Sequence, residues 1–137
     1  MKTALITAII PTYKRPHWLK RAVRSVLKQS FPDFEILIAD NASGEETDVV
    51  TQDLMRQDAR IKLLKHPANI GAVANFQAAL MQVSTPYVCF LPDDDFFAPF
   101  FFAETVPLLG HYPDIAFCGG GGVNINEHYE ISSIQRN

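Results

Sequence analysis

The stretch CFLPDDDFFAPFFF, from Cys89 to Phe102, sets three consecutive carboxylates between an apolar run and five phenylalanines within seven residues. Adjacent like charges repel, and burying them unpaired is costly or drives their pKa values upward. The residues just ahead, YVCFL at 87–91, read as a buried strand, which puts Asp93, Asp94 and Asp95 at its carboxyl end. An acidic turn is the plain reading of the three aspartates; a bound cation that offsets their repulsion explains them better. The candidate ligands nearby are all oxygen, so the cation is expected to be hard, Mn2+ or Mg2+, held by one or two carboxylates together with diphosphate oxygens.

Short apolar strands alternate with amphipathic helices on either side of this stretch. ALITAII (4–10) reads as a first, central strand, and Pro16 opens a helix on which Trp18, Leu19, Ala22, Val23, Val26 and Leu27 recur at helical spacing. FEILIAD (34–40) is a second strand, closed by the loop NASGEE before an acidic helix over about 46–57, and IKLLKH (61–66) is a third. In PANIGAVANFQAALMQV the pattern places Val73, Phe76, Leu80 and Val83 on one helical face, with Asn69 as the N-cap. After the fourth strand the sequence predicts a helix over about 99–109, a fifth strand at DIAFCG (114–119), and one or two short strands in the tail. The four-glycine run lacks the lysine and hydroxyl residue of a phosphate loop and reads as a turn or bulge. The expectation is an α/β chain with a mostly parallel sheet covered by helices on both faces.

With 137 residues, 47% hydrophobic and 20% charged, the chain has the size and composition of one globular domain. No run of about 18 apolar residues is present to span a bilayer. MKTALITAII resembles a secretory leader, but Pro11 ends the run without a small-residue cleavage site, so it is read as a strand. The net charge of -3 gives no argument for nucleic acid. Seven of the twelve basic residues precede the first acid, Asp33. Among them Lys20, Arg24 and Lys28 share a helix face, either a solvated surface or a positive lip beside an anionic ligand. Cys89 and Cys118 sit in apolar runs without metal-type spacing and read as buried reduced thiols of a cytoplasmic protein.

Ligands of open parallel sheets bind outside the carboxyl ends of the strands. Here those ends carry PTYKR (11–15), Asp40-Asn41-Ala42-Ser43, HPANIG (66–71) and Asp93-Asp94-Asp95. Pro11-Thr12 and Asp40-Asn41 are readable as simple turns, Asn69 as a helix cap and Asn75 as a satisfied helix residue. Alternatively they line one crevice, where Asp40 is suited to accept hydrogen bonds from a base or ribose. A receiver domain, which fits the length and alternation, needs an acidic pair where this chain has Pro11-Thr12. The residues together point to a metal-dependent nucleotide-diphosphate site.

The segments ITAIIPTYKRPHWLKRAVRSVLKQSFPDFEILIADNAS, NIGAVANFQAAL and YVCFLPDDDFFAP, in that order and spacing, resemble the family 2 inverting glycosyltransferases, with the Rossmann-like GT-A fold. The resemblance covers nearly the whole chain. It implies that Pro11, Thr12 and Tyr13 border the nucleotide base, that Asp40 binds it and that Arg15 lies near the site. Asp94 becomes the principal metal ligand in a DXD-type motif, with Asp93 or Asp95 contacting ribose or the metal's waters; Asn69 joins the nucleotide-binding set if it is not a cap. The sequence departs from the family pattern at Asn41 and Ala42, where a second aspartate and a glycine are usual, at Pro92, and at Val73-Ala74-Asn75, where Ala-Arg-Asn is common.

Inverting transfer needs a general base, usually a later carboxylate, to deprotonate the acceptor hydroxyl. Only Glu104, Asp114, Glu127 and Glu130 follow Asp95, none in a Glu-Asp pair before a helix. The resemblance therefore implies that residues 1–137 are an incomplete GT-A unit, the nucleotide-diphospho-sugar-binding part of a longer transferase. The donor expected is a UDP-sugar and the acceptor a carbohydrate or lipid-linked hydroxyl, with the parent protein peripheral to the inner face of the membrane. The alternative is an incomplete nucleotide-binding or interaction module. Phenylalanines 96, 97 and 100–102 read as core, or as a patch for self-association if nothing covers them.

Overall fold

The structure, a computed structural model, describes residues 4–135; Lys2, which heads the leader-like segment, lies outside the described residues. Its elements are β1 (Ile6–Thr12), α1 (Pro16–Leu27), β2 (Phe34–Asp40), α2 (Glu45–Gln57), β3 (Ile61–Lys65), α3 (Ala72–Leu80), β4 (Tyr87–Phe90), α4 (Phe101–His111), β5 (Gly122–Ile125) and β6 (Ile131–Gln135). The first four strands form one parallel sheet in the order β3-β2-β1-β4. The register pairs Ile6 with Phe34 and Thr12 with Asp40 on one side of β1, and Ile6 with Tyr87 and Ile9 with Phe90 on the other. The chain winds outward from β1 to β3 and then crosses back to β4, so the order reverses between β1 and β4. That reversal opens a crevice at the carboxyl ends of those two strands.

Strand alternation sends residues to two faces. Ile6, Ala8 and Ile10 join Ile36 and Ile38 against Leu19, Ala22, Val23 and Val26 of α1, Leu54 of α2, and Phe102 and Val106 of α4. The opposite face buries Ile9, Leu37 and Ala39 against Ala79 of α3. The sheet is thus parallel and covered on both faces, as the continuous apolar strands predict. Pro16 occupies the first turn of α1, where its missing N–H costs nothing.

Several local expectations are corrected. The N-cap of α3 is Gly71, with φ 85°, and Asn69 instead lies in the loop before it. On α3 the sheet-facing residues are Asn75 and Ala79, while Val73 and Leu80 of the predicted apolar stripe are exposed. Trp18 is likewise exposed. DIAFCG forms no strand, and Phe117 within it is 85% exposed. No strand among the described residues pairs with that segment, so its apolar composition has no ladder to join. The tail forms an antiparallel hairpin of β5 and β6 with a bulge at Asn124/Ile125. In the glycine run a Cβ on Gly121 would stand 2.9 Å from the Gln135 carbonyl oxygen, a backbone approach open only to glycine. Cys89 is free and half-buried, and desolvation pushes its thiol up to about 12, so it stays protonated and unreactive. No helix among the described residues is long and apolar enough to cross a membrane.

Candidate functional site

The crevice is built from the strand ends inward. Thr12, the last residue of β1, donates its hydroxyl to Asp93 Oδ2 at 2.7 Å. Asp93 is 5% exposed, and its other oxygen accepts from Arg15 Nη1 at 3.3 Å. The same nitrogen donates to Asp94 Oδ2 at 3.1 Å, so one guanidinium bridges two adjacent carboxylates and offsets part of their repulsion. Asp94 Oδ1 takes no hydrogen bond from the described residues. The turn is closed by the Asp95 N–H donating to the Pro92 carbonyl at 3.0 Å, which leaves the Asp95 side chain exposed.

Helix α1 and the turn after it hold the segment that follows. Ser25 Oγ accepts from the Phe97 N–H at 3.1 Å, Gln29 Oε1 accepts from the Phe102 N–H at 2.9 Å, and Gln29 Nε2 donates to the Ala98 carbonyl at 2.7 Å. Phe102 enters the core, Phe97 and Phe101 stack 4.4 Å apart against it, and Phe96 and Phe100 stay exposed. The phenylalanine cluster is therefore divided between core and surface.

Asparagines lace the β2 and β3 ends together. Asn41 Nδ2 donates to Asn69 Oδ1 at 2.9 Å, and Asn41 Oδ1 accepts from the Ile70 N–H at 2.9 Å. Asn69 Oδ1 also accepts from the Gly71 N–H at 2.8 Å, which shapes the approach to α3. Asp40 is 1% exposed; its Oδ1 accepts from the Ser43 N–H at 3.1 Å, and Ser43 Oγ accepts from the Lys14 N–H at 2.9 Å. Ala42 between them has φ 64°, the left-handed region where a side chain is strained. Asn75 Nδ2 donates to the Ala39 carbonyl at 2.9 Å, while its buried Oδ1 has no partner.

These groups surround a cleft of about 310 Å³ lined by residues of both chemistries. Pro11, Ala72 and Phe76 give apolar wall; Arg15, Asp93 and Asp94 give charge. Of the residues singled out in the sequence, Pro11, Thr12, Tyr13, Arg15, Asp93 and Asp94 line the cleft together. Asp40, which is buried, and Asn69, exposed in the loop before α3, are outside the lining and hold its loops, and Asp95 is outside it as well. Asn69 and the Lys14 ammonium beside the exposed Tyr13 hydroxyl hold it below the usual tyrosine range. None of Lys20, Arg24 and Lys28 lines the cleft. Asn41, Asn75, Phe76 and Pro92 also line the cleft and were not among the predicted ligands. The asparagines carried a signal all the same, as amides beside a strand end or within an apolar helix.

Among the described residues no group of three or more His, Cys, Asp or Glu is placed to hold a metal ion. Such a group is not required for Mg2+ or Mn2+, which takes one or two carboxylates and completes its shell with phosphate oxygens and water. Asp94, its side chain 54% exposed at the cleft, has the donor chemistry and the access for that role; Asp93, enclosed by Thr12 and Arg15, has less.

Residues 7–136 match the sequence model of glycosyl transferase family 2. The chain belongs to that family. It is 37% identical over 91 residues, 66% of its length, to the GalNAc(5)-diNAcBac-PP-undecaprenol beta-1,3-glucosyltransferase of Campylobacter jejuni, covering 29% of that protein. Its fold matches the S. aureus TarS 1-349 structure in complex with UDP-GlcNAc with a TM-score of 0.72 at 22% identity, over 79% of this chain and 32% of that one. It also matches the mannosyltransferase PcManGT of Pyrobaculum calidifontis in complex with GDP-Man and Mn2+ with a TM-score of 0.69 at 16% identity, over 90% of this chain and 36% of that one. These likenesses show the GT-A glycosyltransferase fold. The chain spans only 14% to 39% of the length of eight curated relatives it matches.

Proposed function

We propose that this chain is the donor-binding part of a glycosyltransferase, holding a nucleotide-diphosphate sugar, a UDP-sugar by preference, for inverting transfer to a hydroxyl of a carbohydrate or lipid-linked acceptor. The observation that carries this reading is the meeting of Thr12, Arg15, Asp93 and Asp94 where the strand order reverses, facing an apolar wall of Pro11, Ala72 and Phe76 across one cleft. A flat base suits the apolar wall, and a diphosphate suits the charged one. The S. aureus neighbour in complex with UDP-GlcNAc and the Campylobacter glucosyltransferase, named for an undecaprenol-linked saccharide, support the donor and acceptor classes. An acceptor of that kind would place the parent protein at the inner face of a membrane.

In this reading Pro11, Tyr13 and Phe76 enclose the nucleoside, and Asp40 and Asn69 keep the loops around it in place. Asp93, locked by Thr12 and Arg15, faces the ribose. Asp94 would hold Mn2+ or Mg2+, whose chemistry when bound is to neutralise charge on the departing diphosphate. Arg15, already between both carboxylates, keeps the two aspartates apart in charge and orientation before any ligand arrives. Among the described residues no other carboxylate lines the cleft, so the base that deprotonates the acceptor is assigned to another part of the parent protein. That same observation favours a second reading for the chain by itself, as a module that binds the nucleotide without transferring the sugar.

Calorimetric titration with UDP tests the proposal. Binding should require Mn2+ or Mg2+ and lose that metal-dependent component in Asp94→Asn, whereas Asp40→Ala should weaken binding with less change in metal requirement. Equal binding by wild type and Asp94→Asn would sink the site.

A further inference from the structure

Arg21 belongs to none of the groups singled out above, yet it is the residue on which the acidic turn hangs. Its Nη2 donates to the backbone carbonyl of Asp94. Its guanidinium carbon lies 4.4 Å from the ring centroid of Trp18, one turn earlier on α1, and 5.1 Å from that of Phe96, two residues beyond Asp94. The arginine is thus stacked between two aromatic rings, an arrangement that suits a planar cation and fixes the direction of its donors. Trp18 and Phe96 are 41% and 43% exposed. Two large rings left at the surface are costly as core, and their contact with Arg21 gives them a role.

We propose that Arg21, clamped between Trp18 and Phe96, is a positioning residue that sets the direction of the Asp94 carboxylate. The reasoning follows from the backbone. Asp93, Asp94 and Asp95 lie in a turn outside any helix or strand, closed by a single bond from the Asp95 N–H to Pro92. That bond holds the Asp94–Asp95 peptide by its N–H alone and leaves the turn free to shift about it, carrying the Asp94 side chain. The Arg21 bond to the Asp94 carbonyl removes that freedom, while Arg15 holds Oδ2 of the same residue at 3.1 Å. Asp94 is held from two sides, by its backbone and by one carboxylate oxygen, and Oδ1 remains for a ligand.

This inference rests on the donor-binding reading, and its test separates the two. Arg21→Lys keeps the charge but loses the planar stack and the directed donor, and Phe96→Ala removes one ring from an exposed position without opening the core. Each should weaken binding of Mn2+·UDP by roughly tenfold, as for loss of one charge-assisted bond, and leave binding of uridine, which has no phosphate, unchanged. Trp18 is the single tryptophan of the chain, so its emission reports the stack directly. The emission should shift in both variants without any ligand, and the Asp95 amide should exchange faster with solvent. Phe96→Tyr should restore wild-type binding. If wild type binds Mn2+·UDP and both variants bind it equally well, the positioning role is wrong and the donor site stands. If uridine and Mn2+·UDP weaken together, Arg21 merely supports the fold and the proposal fails. If wild type binds no nucleoside diphosphate with any metal, the donor reading falls and the positioning role with it.

Discussion

On the face of the sheet covered by α1, α2 and α4, the strands supply Ile6, Ala8, Ile10, Ile36 and Ile38 to a continuous core that includes Phe34 and Phe102. On the α3 face the buried apolar residues among those described are Ile9, Leu37, Ala39 and Ala79, and Thr7 and Asn75 are buried polar neighbours. Helix α3 also leaves Val73 and Leu80 exposed, as is Met81 at its C-cap. The two faces divide the work. The first binds the layers together and, through Arg21 and Ser25 of α1 and Gln29 just beyond it, fixes the backbone after β4; the second trades packing for polar groups beside the cleft.

That contrast is broken most severely through the larger core. Phe102→Ala should lower unfolding free energy by about 3–5 kcal/mol, since it deletes a fully buried ring that meets Phe34 edge-on. The same truncation at Phe76, half-buried on the α3 face and stacked on Phe90, should cost less than half as much in a urea titration. Equal losses would mean the faces contribute alike. Next in size is Asp93→Ala, which strands the buried Thr12 hydroxyl and leaves Arg15 with Asp94 as its one carboxylate partner among those described. A loss of about 1–3 kcal/mol in stability is expected, accompanied by loss of nucleotide binding; a stable variant that binds normally would separate Asp93 from the site. The smallest effect should be a gain. Ala42→Gly relieves a left-handed residue at the β2 end and should raise stability by about 0.5–1 kcal/mol, and a decrease would show that the φ of 64° costs nothing there.

How much of this was legible in the sequence follows from the same contrast. The core face is written in residue type and spacing: FEILIAD coincides with β2, and Leu19, Ala22, Val23 and Val26 repeat at helical spacing behind Pro16. The α3 face is not, because an asparagine takes a sheet-facing slot and a glycine with positive φ starts the helix, which rotates the apolar stripe outward. Asp93 and Asp94 announced themselves through charge at a strand end. The residues that hold the segment around them did not, since Arg21, Ser25 and Gln29 act by hydrogen bonds to distant backbone, as Asn41 does to the loop before α3, and no local pattern encodes these. DIAFCG failed for the converse reason: its composition suits a strand, but a strand needs a neighbour.

The central claim is that the ends of β1, β2 and β4 form one nucleotide-diphosphate site. Backbone amide shifts recorded while UDP is added with Mg2+ test it most directly. The account predicts perturbations gathered at residues 11–15, 40–43, 69–76 and 92–95, with the strands of the core face unmoved. Perturbations confined to the exposed phenylalanines at 96 and 100, or none at millimolar UDP, would contradict it.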